Sequence, residues 1–225
     1  MFMASDKTPM QVRANGGFEL LNQVIQKKLN GYFLGWFDAG IAFHIFTTKK
    51  PPMKANGLVD LSGYKLRSTP ITNPFFSDLG ATNVQMFIPD VYSALERGLI
   101  QGVGVPLFVV NVFSWDKFIK YRIEPGFYQT DVATVVNLNK WNALSKATRD
   151  KLQALAISWE KESYDHFQKL QQHFRDEQAK RGLTTLSLGK AGEAYRDTAY
   201  GFLWKRIASK VPADTVAKLK AKFYK

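Results

Sequence analysis

Few residues in this 225-residue sequence have the type and spacing that chemistry needs. The histidines are His44, His166 and His173. The last two lie seven apart on one predicted helix, whereas a helical metal-binding pair sits four apart, as in H-E-x-x-H. Two turns separate such rings by about 10 Å, too far for one ion, so both are expected as solvated surface groups. Gly102-Val103-Gly104 carries two glycines of a dinucleotide fingerprint without the third. Val105-Pro106 follows it, not the start of a helix that could face a pyrophosphate. There is no G-x-S-x-G elbow and no Walker loop, and the sparse carboxylates before residue 150 form no close pair for acid–base work. The absence of cysteine removes disulfides, thiolate-ligated metals and thiol catalysis. No enzymatic activity, cofactor or metal is therefore expected.

Arg67 is the charge that stands out. It falls near the end of an alternating stretch, Tyr64-Lys65-Leu66-Arg67-Ser68, just before Thr69-Pro70. An arginine at the C-terminal end of a strand sits at the crevice where open α/β sheets take ligands. Its planar fork matches a carboxylate through two parallel hydrogen bonds. An internal ion pair with Asp90 reads equally well from the residues alone.

The elements that would carry these groups alternate. A helical stripe over Phe18–Leu29 ends at Asn30-Gly31, and Tyr32–Phe37 and Phe43–Thr48 read as two strands. Further strands are predicted at 64–68, 84–87, 100–105, 121–124 and 132–137. Helices are predicted at 73–79, at 108–120 and from an Asp90 N-cap to Gly98. This order predicts βαβ units and a mainly parallel sheet. From Ser145 the pattern changes: Leu152, Leu155, Trp159, Phe167, Leu170 and Phe174, with Ser163 filling the missing step, form a stripe on one helix over about 146–181, roughly 54 Å long. A short strand at 183–188 and helices at 190–209 and 213–223 close the chain.

Composition is that of a folded chain, with 45% hydrophobic and 22% charged residues, and no apolar run is long enough for a transmembrane helix. The first ten residues lack the basic and apolar regions of a secretory signal. The formal charge is +12, and half of it lies in Gly201–Lys225, where seven basic residues face one acid, Asp214. A solvated basic helix accounts for that segment. Nucleic-acid binding, driven by counterion release, is the competing reading.

Several stretches resemble one family. They are Asp60-Leu61-Ser62-Gly63-Tyr64-Lys65-Leu66-Arg67, then Leu79-Gly80-Ala81, then Asp90-Val91-Tyr92-Ser93-Ala94-Leu95-Glu96-Arg97-Gly98-Leu99-Ile100-Gln101-Gly102. Val135-Val136-Asn137-Leu138-Asn139-Lys140-Trp141-Asn142-Ala143-Leu144-Ser145 follows before the long helix. In order and spacing they resemble the DctP-type solute-binding proteins of tripartite ATP-independent periplasmic (TRAP) transporters. The family pattern is D-L-x-G-x-K-x-R, L-G-A, E-V-Y-x-A-L-x-x-G-x-V-D-G and V-x-N-x-x-x-W-x-x-L-P.

The resemblance implies an α/β, periplasmic-binding-protein-like fold with two lobes, a long bridging helix and an incomplete first lobe. Residues 1–43 and 131–189 are then the remnant of the first lobe, with the bridging helix at about 146–181. Residues 44–130 form the second lobe, which carries the arginine clamp, and 190–225 the C-terminal helices. The implied function is an extracytoplasmic receptor that binds an organic-acid anion in a cleft between the lobes, which close on it, and delivers it to TRAP membrane subunits, as a periplasmic monomer without nucleic acid. Arg67 takes the role of the family's carboxylate clamp, and His44 matches a second basic position loosely. Ile88, Val105, Phe127 and Trp36 complete the ligand-lining candidates. Gln101 replaces the acid of V-D-G, and Val105 stands where the family often has an asparagine or a tryptophan, which points to a more apolar site for a small or apolar monocarboxylate. Gly104 stands where keto-acid and lactate binders carry an acid that helps hold a cation, so the expectation of no metal is kept. Family members are longer, so a truncated remnant that binds poorly is an alternative to a working receptor.

Overall fold

The computed structural model describes residues 4–224. Thr8 caps α1 (Pro9–Ala14) in a capping box with Gln11, and α2 (Gly17–Leu29) ends on Asn30 in the left-handed conformation. The two predicted strands that follow are one: β1 runs unbroken over Gly31–Thr47. Gly40 makes this possible. Its φ of +80° lets the strand bend without ending, and the ring of Tyr164 occupies the place a Cβ would need.

The chain continues through β2 (Lys65–Ser68), α3 (Asn73–Asp78), β3 (Thr82–Gln85) and α4 (Ile88–Glu96). α4 begins two residues ahead of Asp90, because Pro89 is preset for the first turn; Asp90 lies inside that turn and Phe87 holds the N-cap position. After β4 (Gly102–Pro106), the predicted helix over 108–120 shrinks to α5 (Val109–Val112). Ser114 turns left-handed there, and a 3₁₀ turn buries Trp115 to 1% exposure. β5 (Tyr121–Glu124), β6 (Tyr128–Asn137), α6 (Leu138–Ala143), α7 (Lys146–Lys180), β7 (Thr184–Ser187), α8 (Gly192–Ala208) and α9 (Ala213–Phe223) complete the order.

The sheet runs β3-β2-β4-β1-β5-β7, with β6 also paired to β1. β2 lies parallel to β3 and β4, and β5 parallel to β7, but β1 is antiparallel to both β4 and β5. The sheet is therefore mixed where a mainly parallel one was expected. Gly104, on β4, lies under the ring of Phe76, which a Cβ would strike. The Gly-Val-Gly stretch thus serves packing inside a strand.

The chain divides into two compact units. One takes the chain through Ile41, Gln129–Lys169 and the segment from Trp204 onward; the other takes Ala42–Tyr128 and Leu170–Leu203. In the first, Trp36 packs edge-on against Phe18, Phe33 and Phe223. Tyr32 stacks on Trp141 at 4.0 Å beside Leu34 and Ala156. In the second, Phe46, Val91, Leu95, Val103, Val110 and Trp115 form the main core. A second aromatic group there joins Phe75, Phe76, Phe127, Tyr128 and Tyr195.

α7, at 35 residues about 52 Å long, contributes to both units. Its buried face follows the predicted stripe only in part: Ser163 is buried and Leu152 and Phe174 pack against the cores of their units, but Leu155 and Trp159 are 65% and 45% exposed, while Ala156, Glu160, Gln171 and Gln178 are buried. The polar residues face inward because backbone groups need them. Glu160 accepts from the Trp36 N–H at 2.9 Å and pairs with Arg13 at 2.5 Å. Gln153 donates to the Leu34 carbonyl, Gln168 to that of Gly40, and Gln171 accepts from the Ala42 N–H.

Glu160→Ala is expected to cost about 3 kcal/mol of stability, since it strands Arg13 and the Trp36 N–H in a buried site. Gly40→Ala is expected to cost about 2–4 kcal/mol through left-handed strain and the clash with Tyr164. Urea denaturation midpoints measure both.

Candidate ligand-binding site

The strand pairing fixes where Arg67 lies. It sits on β2 between Val84 of β3 and Val103 of β4, all three strands parallel, so its side chain emerges at their shared C-terminal end. Beyond it the chain turns sharply: the Thr72 N–H donates to the Thr69 carbonyl, and the Thr69 N–H to the Thr72 hydroxyl, both at 2.9 Å. That turn and the segment leaving β3 enclose an open pocket of about 420 Å³ lined by Arg67, Ser68, Thr69, Pro70, Gln85, Met86 and Phe87.

Arg67 is half-buried, and its Nε donates to the Met86 carbonyl at 3.3 Å. Burial alone pulls its pKa down from the ordinary arginine value, with no carboxylate opposing it among the described residues. The expected alternative partner, Asp90, is exposed and makes no ion pair with it. The guanidinium stays charged. Its one protein hydrogen bond among the described residues uses Nε, which leaves the Nη edge as a two-pronged donor for an anion.

The other sequence candidates occupy different places. Ile88 directly follows the pocket-lining Phe87 and is partly buried against the main core of its unit. Val105 is 2% exposed in that same core and pairs with His44 across β1 and β4. Phe127 is fully buried, its ring 5.4–6.2 Å from those of Phe43, Phe75 and Phe76. Trp36 belongs to the core of the other unit. None of these four lines the Arg67 pocket. His166 and His173 are exposed, as expected.

His44 is fully buried and belongs to an internal charge network. Its Nε2 lies 3.0 Å from Glu124 Oε2, a pair that is ionic only when the ring is protonated, and its Nδ1 lies 3.3 Å from the Ala42 carbonyl. Glu124 Oε1 also accepts from Arg122 and Arg175, at 3.0 and 3.2 Å. Arg122, 4% exposed, continues to Gln178 and Thr185. Burial pulls the His44 pKa below its ordinary value, against Glu124. Burial pushes the Glu124 carboxyl up, but His44, Arg175 and Arg122 outweigh it and hold it at about 2.

Sequence reasoning missed Thr69, Pro70, Gln85, Met86 and Phe87 as wall residues. Met86 and Phe87 were assigned to a strand, yet β3 ends at Gln85 and both lie in the turn that leads into α4. The parallel pairing of β2 with β3 was the available signal, because it brings the two strand ends together.

Residues 2–210 match the family described as bacterial extracellular solute-binding protein, family 7 (DctP). The chain belongs to this family. Solved structures similar to this DctP-family chain include a TRAP periplasmic solute-binding protein from Rhodobacter sphaeroides, at 17% identity and a TM-score of 0.78. That match covers 98% of this chain and 74% of that one. A second, from Rhodoferax ferrireducens with bound malonate, is 19% identical with a TM-score of 0.72, covering 94% and 67%. A third, a Bordetella pertussis extracytoplasmic solute receptor binding pyroglutamic acid, is 16% identical with a TM-score of 0.74, covering 95% and 68%. The fold is that of these α/β binding proteins, and the chain spans about two thirds to three quarters of their length. The family comprises receptors rather than enzymes, and no described helix is long and apolar enough to cross a membrane.

The internal network sets an acid limit. An unfolded chain takes up the Glu124 proton near 4.5 and the folded chain only near 2, so the unfolded state binds more protons between these values. Stability is therefore expected to fall as pH drops from 4.5 towards 2. The buried carboxylate contributes on the order of 2 kcal/mol above that window. Glu124→Gln should flatten this part of a pH series of denaturant midpoints.

Proposed function

We propose that this chain is the extracytoplasmic receptor of a TRAP-type transporter, binding an organic-acid anion at Arg67 and delivering it to the membrane subunits. The observation that carries this reading is a half-buried guanidinium with a free Nη edge and, among the described residues, no carboxylate partner, beside an open pocket. A cation held partly out of water without a counterion is costly, and a ligand carboxylate offsets that cost. The bound acids of the malonate and pyroglutamate receptors support the same ligand class. Among the described residues Arg67 is the one cation lining the pocket, and Pro70, Met86 and Phe87 give it apolar walls. A monocarboxylate with an apolar flank suits it better than a dicarboxylate, whose second charge would go unpaired. Ile88, next to the wall, is proposed to set its depth. His44, Val105 and Phe127 back this lobe from its interior without touching the ligand. The receptor acts in the periplasm as a monomer, without catalysis and without nucleic acid.

Calorimetry with a panel of monocarboxylates and dicarboxylates tests the reading. Arg67→Ala is expected to lower monocarboxylate affinity at least about a hundredfold, from the loss of charge-assisted hydrogen bonds, with an unchanged melting temperature. Equal affinity in the variant would reject the assignment, and binding of DNA in preference to any acid would favour the basic C-terminal segment as the working surface.

A further inference from the structure

Phe87 is the most exposed large apolar residue among those described, at 82%. It does nothing for the fold that another residue would not do better. It holds the N-cap position of α4, where serine, threonine, aspartate or asparagine would bond the free N–H groups of the first turn, and it supplies no capping bond. Its ring has no aromatic neighbour within stacking range among the described residues, unlike those of Phe75, Phe76 and Phe127. A residue that breaks a local rule without a structural gain marks a functional position. The same residue lines the pocket that holds the free Arg67 fork, alongside Pro70 and Met86.

We infer that Phe87 is a specificity residue that selects acids carrying a flat, unsaturated ring. This inference rests on the carboxylate reading of Arg67. With the carboxylate on the Nη edge, the rest of a small acid lies along the wall that Phe87 forms, and the exposed ring offers a face to stack on. An aromatic ring gains from that stacking beyond the area it covers, whereas a saturated ring of the same size gains the area alone. Gln85, exposed at the same rim, provides an amide for one polar ring substituent.

The test is calorimetry on the full 225-residue chain with benzoate, cyclohexanecarboxylate and propionate, using the wild type, Phe87→Leu and Arg67→Ala. The wild type is expected to bind benzoate roughly fivefold more tightly than cyclohexanecarboxylate. Phe87→Leu keeps an apolar wall and should bring benzoate and cyclohexanecarboxylate within about twofold of each other. Arg67→Ala should weaken all three together. Wild-type binding of the acids with no preference for benzoate, or a preference that survives Phe87→Leu, overturns the role of Phe87 and leaves the carboxylate reading standing. Failure of the wild type to bind any of the three overturns both.

Discussion

The structure depends on polar side chains of α7 serving the backbone of β1. A long strand exposes peptide groups along its edges, and each group buried without a partner costs free energy comparable to a lost hydrogen bond. Here Gln153, Glu160, Gln168 and Gln171, together with Asn22 of α2, bond those groups directly. Asn22 behaves as one residue of a neighbouring strand, giving its amide to the Phe33 carbonyl and taking the Phe33 N–H. The helix turns its glutamines and glutamate inward and leaves Leu155 and Trp159 to solvent, because unsatisfied peptide groups cost more than exposed apolar area. Trp159 still contributes, donating its indole N–H to the Phe37 carbonyl.

The two buried charge groups of the second unit show opposite solutions to one problem. Around Glu124 every charge is answered: His44, Arg122 and Arg175 converge on one carboxylate, and Arg122 passes its remaining donors to Gln178 and Thr185. That network ties β5 to β7 and to α7 through Arg122, Thr185, Gln178 and Arg175. Arg67 is the reverse case, a cation partly withdrawn from water with four of its five N–H donors unspent among the described residues. Its position at the ends of three parallel strands fixes the direction of the fork, and the turn at Thr69–Thr72 keeps the mouth open.

Much of this was legible in the chain. Asn30 ended its helix, Thr69-Pro70 ended the strand that carries Arg67, and the helix from 146 was placed to within a residue at each end, because capping residues and local periodicity are properties of neighbours in sequence. The division of Tyr32–Thr48 into two strands failed between Phe37 and Phe43, where Gly40 bends the strand under Tyr164 without ending it. The inward face of α7 was legible in part: Leu152 and Phe174 of the predicted stripe pack against apolar cores, whereas Leu155 and Trp159 stay exposed because polar side chains of the helix serve the backbone of β1. The site was half legible. Arg67 announced itself by position and by a family motif, whereas Phe87 and Met86 were hidden in an apolar run.

By itself the sequence determined most element types, the absence of thiol chemistry, the family pattern and the arginine proposed as the anion clamp, since all of these follow from residue type and short-range spacing. Only the tertiary structure decided that His44 is spent on Glu124, that β1 runs against its neighbours, and that Pro70, Met86 and Phe87 surround the Arg67 fork. Those outcomes depend on which strand lies beside which, and pairing between distant segments is set by the satisfaction of backbone and charge across the whole fold, a condition that no local stretch of residues contains.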